Sequence, residues 1–216
     1  MVLLCGIDEA GRGPVIGPLV ICGVLIDSKE EKTLAEIGVK DSKLLTPEKR
    51  AEIYDVLKDK VKHKLVIINP DEIDSALQSK EINLNWLEAI KSAEIINFLK
   101  PERAILDCPS NNINAYTNYV KKLVNEDVEI IAEHKADYNH LVVGAASILA
   151  KVTRDMEIEK IKKKINVDFG SGYPSDPLTH DFLIKNYKKY QDIFRKEWAS
   201  YKEAADIKKQ KSLADY

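Results

Sequence analysis

Two short apolar stretches open the chain, one at residues 2–8 that closes on Asp8 and one at 19–26, with a glycine-containing break at residues 11–14 between them. Runs of this length bounded by turn residues predict buried strands, and their closeness in sequence predicts that they pair antiparallel. Residues 29–37 then form a short helical pattern stopped by Gly38. Thr46 caps a second helix that carries Pro47 in its first turn and Glu48 near the positive end of its dipole, running to residue 61. A third strand is predicted at 65–68, and Asn69-Pro70 opens another helical stretch. From Asn83 the rhythm changes. Trp86, Leu87, Ile90, Ile95 and Phe98 recur at helical spacing within 85–99, followed by strand 103–107, helix 113–124, strand 128–132 and helix 141–164. Strands interleaved with crossover helices predict an α/β fold, with a mixed sheet that is antiparallel in its first strands and parallel later, flanked by helices. After Asn166 a Gly, Ser and Pro cluster at 169–177 is a loop, and two helices are expected at 179–190 and 191–205. This divides the chain into an α/β body over residues 1–165 and a loop with a small C-terminal helical subdomain over 166–216.

Composition adds exclusions. With 216 residues, 44% hydrophobic and 31% charged, the chain holds no apolar run near the ~18 residues that a membrane span requires. Its N-terminus lacks a basic start and soon meets Asp8 and Glu9, so it reads as a strand rather than a signal peptide, and the expected compartment is the cytosol. Cys5, Cys22 and Cys108 lie in apolar stretches at wide spacing and form no C-x-x-C pair, which predicts buried, inert thiols. Residues 151–216 carry 15 Lys and Arg against 11 Asp and Glu, a balance of +4, within a chain whose net charge is −2. The remaining 150 residues are therefore at −6. An acidic body with a basic tail suits a metal centre beside a polyanion-binding surface, although solvated helix faces explain the same asymmetry.

The candidate chemistry lies in the acids at strand ends. Asp8 and Glu9 follow the first strand, Asp107 ends the strand at 103–107, and Asp137 comes a few residues after the strand at 128–132. A lone charge at the end of an apolar run is costly to bury, and four converging carboxylates repel one another unless cations neutralise them. Hard oxygen ligands without a Cys or His cluster favour Mg²⁺ or Mn²⁺ over zinc. Two such ions suit phosphodiester hydrolysis. Adjacent residues in a regular strand face opposite sides, so Asp8 and Glu9 can share a site only if the strand ends or bulges there, a break that Gly11 and Gly13 would supply. A two-carboxylate glycosidase fits the acids but not the glycines or the basic tail. No G-x-x-x-x-G-K-[ST] loop is present, and Gly11-Arg12-Gly13 lacks the third glycine of a dinucleotide fingerprint.

The run Gly6-Ile7-Asp8-Glu9-Ala10-Gly11-Arg12-Gly13-Pro14 resembles the opening signature of the type 2 ribonucleases H, ribonuclease HII in particular. Further segments follow in the same order. They are Asp41-Ser42-Lys43-Leu44, the strand ending in Asp107, His134-Lys135-Ala136-Asp137, the stretch from Ala145 to Asp155, and Gly172-Tyr173-Pro174-Ser175-Asp176, so the resemblance spans residues 6–200. It implies a ribonuclease H-like sheet followed by C-terminal helices. The activity it implies is endonucleolytic cleavage of RNA in RNA–DNA hybrids and on the 5′ side of single ribonucleotides in duplex DNA, leaving a 3′-hydroxyl and a 5′-phosphate. By position Asp8, Glu9, Asp107 and Asp137 match the family's metal-binding acids, and Gly11, Arg12 and Gly13 match the loop whose backbone reads the ribose 2′-hydroxyl. That hydroxyl is what separates RNA from DNA. Tyr173 matches the tyrosine that packs on the neighbouring deoxyribose, while Lys43, Ser147, Lys151 and Arg154 resemble contacts to the substrate backbone. Ser147, Lys151 and Arg154 also share a helix face at i, i+4 and i+7, which suits phosphate contact or, equally, a solvated face.

Three readings remain open at this point. The sister ribonuclease HIII would carry an additional N-terminal domain, whereas here the motif starts at residue 6. A hybrid-binding protein without catalysis is the second, and the third concerns partners. Gln210, Leu213 and Tyr216 match three positions of a sliding-clamp-binding motif in the tail. His134 and His140 flank Asp137, where structural roles are expected, and nothing in the pattern demands more than a monomer.

Overall fold

The structure is a computed structural model that describes residues 2–39, 45–79 and 81–214, for the last eight of these the backbone alone. Five strands form one mixed sheet: β1 (Leu3–Ala10), β2 (Leu19–Asp27), β3 (Lys62–Ile68), β4 (Arg103–Asp107) and β5 (Glu129–Glu133), in the order β3-β2-β1-β4-β5. The β1–β2 pair is antiparallel from Leu3↔Asp27 to Ala10↔Val20. The β1–β4 pair is parallel and ends at Ile7↔Leu106, and the parallel β4–β5 pair ends at Asp107↔Glu133. The expected mixed α/β sheet is thus the one observed. β3 begins three residues earlier than its apolar pattern predicts, because as an edge strand its first residues are partly exposed and carry no hydrophobic signal.

The helices are α1 (Glu31–Ile37), α2 (Pro47–Lys60), α3 (Pro70–Gln78), α4 (Leu84–Leu99), α5 (Ile113–Leu123), α6 (Ala136–Asn139), α7 (Leu141–Ile165), α8 (Pro177–Asn186) and α9 (Ala199–Ala214). Their ends follow local chemistry. Gly38 closes α1 in the left-handed region at φ 95°, and the Thr46 hydroxyl accepts the Lys49 amide at 3.2 Å to start α2. The one-turn helix α6, which carries Asp137, is too short to leave a periodic signal.

By contacts the chain forms two compact units. The first comprises Met1–Ala10, Val20–Ile67 and Asn83–Thr153, and the second Gly11–Leu19, Ile68–Ile82 and Arg154–Tyr216. In the first, Val20, Cys22, Val24 and Ile26 of β2 join Val142, Val143, Ala145, Ala146 and Leu149 of α7 in one apolar core. At Gly6 the start of α7 touches β1 directly. A methyl group there would overlap the Val142 carbonyl and the Val143 amide, so only glycine permits this approach.

The second unit buries Val15, Ile16, Ile158, Phe169, Phe182, Leu183, Tyr187, Ile193 and Phe194. Phe182 stacks on Tyr190 at 5.7 Å between ring centroids and tilts against Phe194 at 5.9 Å. Here the structure corrects the expected helices at 179–190 and 191–205. α8 stops at Asn186, and residues 187–198 are turns and extended chain. Tertiary pairing overrides helix propensity in that stretch: Phe194 bridges Ile16, the Arg195 amide donates to the Val15 carbonyl at 2.9 Å, and Gly17 donates to the Ile193 carbonyl at 2.9 Å.

Candidate active site

The acids at the end of β1 do meet, without the strand break expected from alternation. Asp8 and Glu9 stay in the antiparallel ladder opposite Cys22 and Ile21, and the chain turns only at Gly11, which is left-handed at φ 87°. The change at Asp8 lies on the other side, where the pairing with the parallel strand β4 has stopped at Ile7↔Leu106. Ligand oxygens of Asp8, Glu9 and Asp107 lie within 4.8 Å of one another. Glu9 and Asp107 are partly exposed, whereas Asp8 is buried at 5% relative exposure.

The surroundings of Asp8 are strained electrostatically. Burial pushes its carboxyl well above the ordinary aspartate range, the charge of Glu9 adds to this, a hydrogen bond from Ser147 works against it, and Asp107 raises it again. The same carboxylate accepts the Glu9 amide at 2.7 Å. Asp107 accepts the amide of Ala136 at 2.9 Å, which ties the end of β4 to the start of α6. Three hard carboxylate oxygens on one rigid edge, one of them destabilised by its own charge, fit a divalent cation of the Mg²⁺ class.

Asp137 is buried on α6 next to Ala136 but does not join the other three acids at that spacing. The neighbouring histidines have partners of their own. His134 Nδ1 meets the Cys108 carbonyl at 3.0 Å, and His140 Nε2 meets Glu133 Oε1 at 3.0 Å, an oxygen that also accepts Asn139 Nδ2 at 2.8 Å. Cys5, Cys22 and Cys108 are buried, and burial pushes each thiol upward, consistent with inert thiols.

The second unit gathers most of the residues that resemble substrate contacts. Tyr173 is 39% exposed, and a Cβ placed on Gly13 would sit 3.4 Å from its ring. The Arg154 guanidinium lies over that ring at 5.6 Å and donates through Nη2 to the Ser171 carbonyl at 3.0 Å. Arg154 is 6% exposed, its Nε is buried with no hydrogen-bond partner among the described residues, and burial lowers its pKa against the opposing influence of Tyr173. Ser147 and Arg154 are therefore no solvated helix face, and the Ser147 hydroxyl is engaged with Asp8. Lys151 on the same helix is partly exposed, while Lys43 lies outside the described residues, as do Tyr216 and the side chains of Gln210 and Leu213.

Arg195 and Trp198 were missed by the sequence. Arg195 is fully buried, its guanidinium donates to the carbonyls of Gly11, Arg12 and Gly17, and Trp198 Nε1 donates to the Gly13 carbonyl at 3.2 Å. Nothing in Phe194-Arg195-Lys196-Glu197 distinguishes that arginine from an ordinary exposed helix residue.

A mixed α/β sheet whose central strand ends in clustered, partly buried carboxylates suits a metal-dependent hydrolase. Within that class, the family model for ribonuclease HII matches residues 5–201, and the chain belongs to the ribonuclease HII family. It is 45% identical to ribonuclease HII of Pyrococcus furiosus over 96% of this chain and 93% of that one. The ribonuclease HII of Methanocella arvoryzae is 44% identical, over 90% and 88%. Among solved structures, ribonuclease H2 of Pyrococcus horikoshii superposes with a TM-score of 0.86 at 42% identity, covering 95% of this chain and 98% of that one. The ribonuclease HII solved in complex with PCNA from Archaeoglobus fulgidus superposes with a TM-score of 0.81 at 38% identity, over 91% and 95%. A ribonuclease HIII shares the fold at 22% identity with a TM-score of 0.81, over 97% and 71%. The protein is accordingly a metal-dependent endoribonuclease acting on RNA–DNA hybrids.

Asp8→Asn removes a buried, unfavourably placed charge while keeping its shape. In EDTA the variant is expected to unfold at a higher temperature than the parent, by an amount of the order of 1 kcal/mol in stability. Added Mg²⁺ should raise the parent's midpoint more than the variant's, as read by a thermal melt. A lower midpoint for the variant in EDTA would show that the Ser147 and Glu9 hydrogen bonds outweigh the burial of the charge.

Proposed function

We propose that Asp8, Glu9, Asp107 and Asp137 hold two divalent cations, Mg²⁺ or Mn²⁺. With them the enzyme hydrolyses the RNA strand of hybrids and cuts on the 5′ side of single ribonucleotides in duplex DNA, leaving a 3′-hydroxyl and a 5′-phosphate. The observation that carries this reading is the gathering of the Asp8, Glu9 and Asp107 oxygens within 4.8 Å in a chain of this family. When bound, the cations supply polarisation of the scissile phosphate and neutralise charge developing on the departing oxygen. The protein's own residues orient the reaction. Ser147, through its hydrogen bond to Asp8, holds one carboxylate in place, and the backbone amide of Ala136 holds that of Asp107.

Selection of the bond falls to the glycine loop and Tyr173. Gly11, Arg12 and Gly13 follow the acids directly in sequence, so ribose recognition is tied to the metal ligands within six residues. Tyr173, steadied by Arg154 and set beside Gly13, offers a ring face on which a deoxyribose packs and a further hydroxyl would be disfavoured. Lys151 and Arg154 on α7, with Lys43, are assigned to the phosphate backbone, which positions the duplex without reading its sequence.

Incubation with duplex DNA containing one ribonucleotide should give a single cut 5′ to it in Mg²⁺ or Mn²⁺ and none in EDTA. Asp8→Asn should slow that cut about a hundredfold or more with hybrid binding largely retained. Near-normal rates in the variant would remove Asp8 from the ligand set, and binding without any metal-dependent product would make the chain a hybrid-binding protein. For Tyr173→Ala the loss should be greater on the single-ribonucleotide duplex than on a continuous hybrid, and equal losses on both would refute junction sensing.

The tail supplies a second proposal, that Gln210, Leu213 and Tyr216 dock on a sliding clamp. The relative from Archaeoglobus fulgidus was solved in complex with PCNA, and the tail here carries Gln210, Leu213 and Tyr216 at three positions of a clamp-binding motif. Tyr216→Ala should abolish retention on an immobilised clamp of the PCNA type while leaving cleavage of a short duplex unchanged. Undiminished retention would exclude this docking mode.

A further inference from the structure

Arg195 is the largest side chain with essentially no solvent exposure. A buried guanidinium is expensive to desolvate, and a neutral side chain could fill the same space at lower cost. What only arginine offers is a planar fork with five donors. Three of its hydrogen bonds converge on one stretch of backbone: Nη2 to the Gly11 carbonyl at 2.6 Å, Nη1 to the Arg12 carbonyl at 3.0 Å and Nε to the Gly17 carbonyl at 3.0 Å. The guanidinium lies over the Trp198 ring at 4.8 Å, and Trp198 Nε1 holds the carbonyl of Gly13. Together the two side chains take the carbonyls of residues 11, 12 and 13 in succession.

The segment that presents them is itself anchored. Asp74 of α3, 4% exposed, accepts the amides of Lys196 at 2.8 Å and Glu197 at 3.1 Å. Charge-assisted bonds from a buried carboxylate to two successive amides fix the backbone on the C-terminal side of Arg195. On the other side the Arg195 amide is bonded to Val15.

In a trans peptide the N–H points opposite to the preceding C=O. Holding the Gly11 and Arg12 carbonyls towards Arg195 therefore turns the amides of Arg12 and Gly13 the other way. We propose that Arg195, assisted by Trp198, is a positioning residue that aims these two amides and thereby sets discrimination between ribose and deoxyribose. The proposal rests on the reading of Gly11–Gly13 as the segment that recognises the 2′-hydroxyl. A lysine would keep the charge but, as a point donor, could not hold three carbonyls at once.

The test compares parent and Arg195→Lys for affinity to two duplexes of one sequence, one with a single ribonucleotide and one entirely deoxy. Fluorescence anisotropy in Ca²⁺ serves as the readout, with thermal melts as the check on folding. The parent should prefer the ribonucleotide duplex, and in Arg195→Lys that preference should fall about five- to tenfold, the worth of an oriented hydrogen bond. Equal weakening on both duplexes with the preference intact would make Arg195 merely structural and overturn the proposal. A parent without any preference would overturn the reading of the glycine loop and the proposal with it. Should Arg195→Lys fail to fold, Trp198→Phe decides. It keeps a ring beneath the guanidinium and removes only the donor to Gly13, so the preference should drop severalfold at an unchanged melting temperature, and an unchanged preference would reject the proposal.

Discussion

The burial of the Asp8 carboxylate at the end of the central strand is the constraint on which the rest of the catalytic unit depends. An ionised acid in that position is disfavoured by desolvation and by Glu9 and Asp107 nearby, so the fold has to supply compensation. Part of it is local, from the Glu9 amide. The rest comes from Ser147 on α7, which can reach Asp8 because Gly6 lets the start of that helix lie directly on β1. A side chain at residue 6 would lift the helix and with it the hydroxyl. The remaining imbalance is what a cation would relieve, and this links metal binding to stability as well as to chemistry.

A different principle governs the glycine loop. Gly11 takes a left-handed conformation, and the next residues have no ladder of their own, so their carbonyls are satisfied by side chains contributed from far along the chain. Arg195 and Trp198 do this from a stretch that would be helical by propensity. The helix is forfeited because Phe194 and Arg195 are held in extended pairing with Ile16 and Val15, and the guanidinium is thereby brought to the carbonyls. Two devices thus stand within six residues of sequence: an edge where charge accumulates, and a loop whose peptide planes are set from outside.

Much of this was legible from local pattern. The strands around the acids, the caps at Thr46 and Gly38, the mixed sheet and the motif from Gly6 to Pro14 all depend on residues close in sequence. α6 left no trace because a single turn has no period, and the start of β3 left none because an edge strand need not be apolar. The helix expected at 191–205 was misplaced since long-range pairing outweighs the small propensity differences that a pattern reflects. The assumed strand break at Asp8 was also unnecessary. Alternation describes where Cβ atoms point, but it does not forbid carboxylates from meeting at a strand end where the pairing with the neighbouring strand has stopped.

By itself, the sequence determined the residue types at the site and the family to which they belong, because the motif from Gly6 to Pro14 and the segments that follow it in order are matched residue by residue, without reference to any contact. Only the tertiary structure decided which acids share a centre, that Ser147 turns to Asp8 rather than outward, and that Arg195 is the support of the glycine loop. The reason is the range of the forces involved. Propensity and capping act over a few residues, whereas a guanidinium at residue 195 and a carbonyl at residue 11 become partners only once the chain between them has folded.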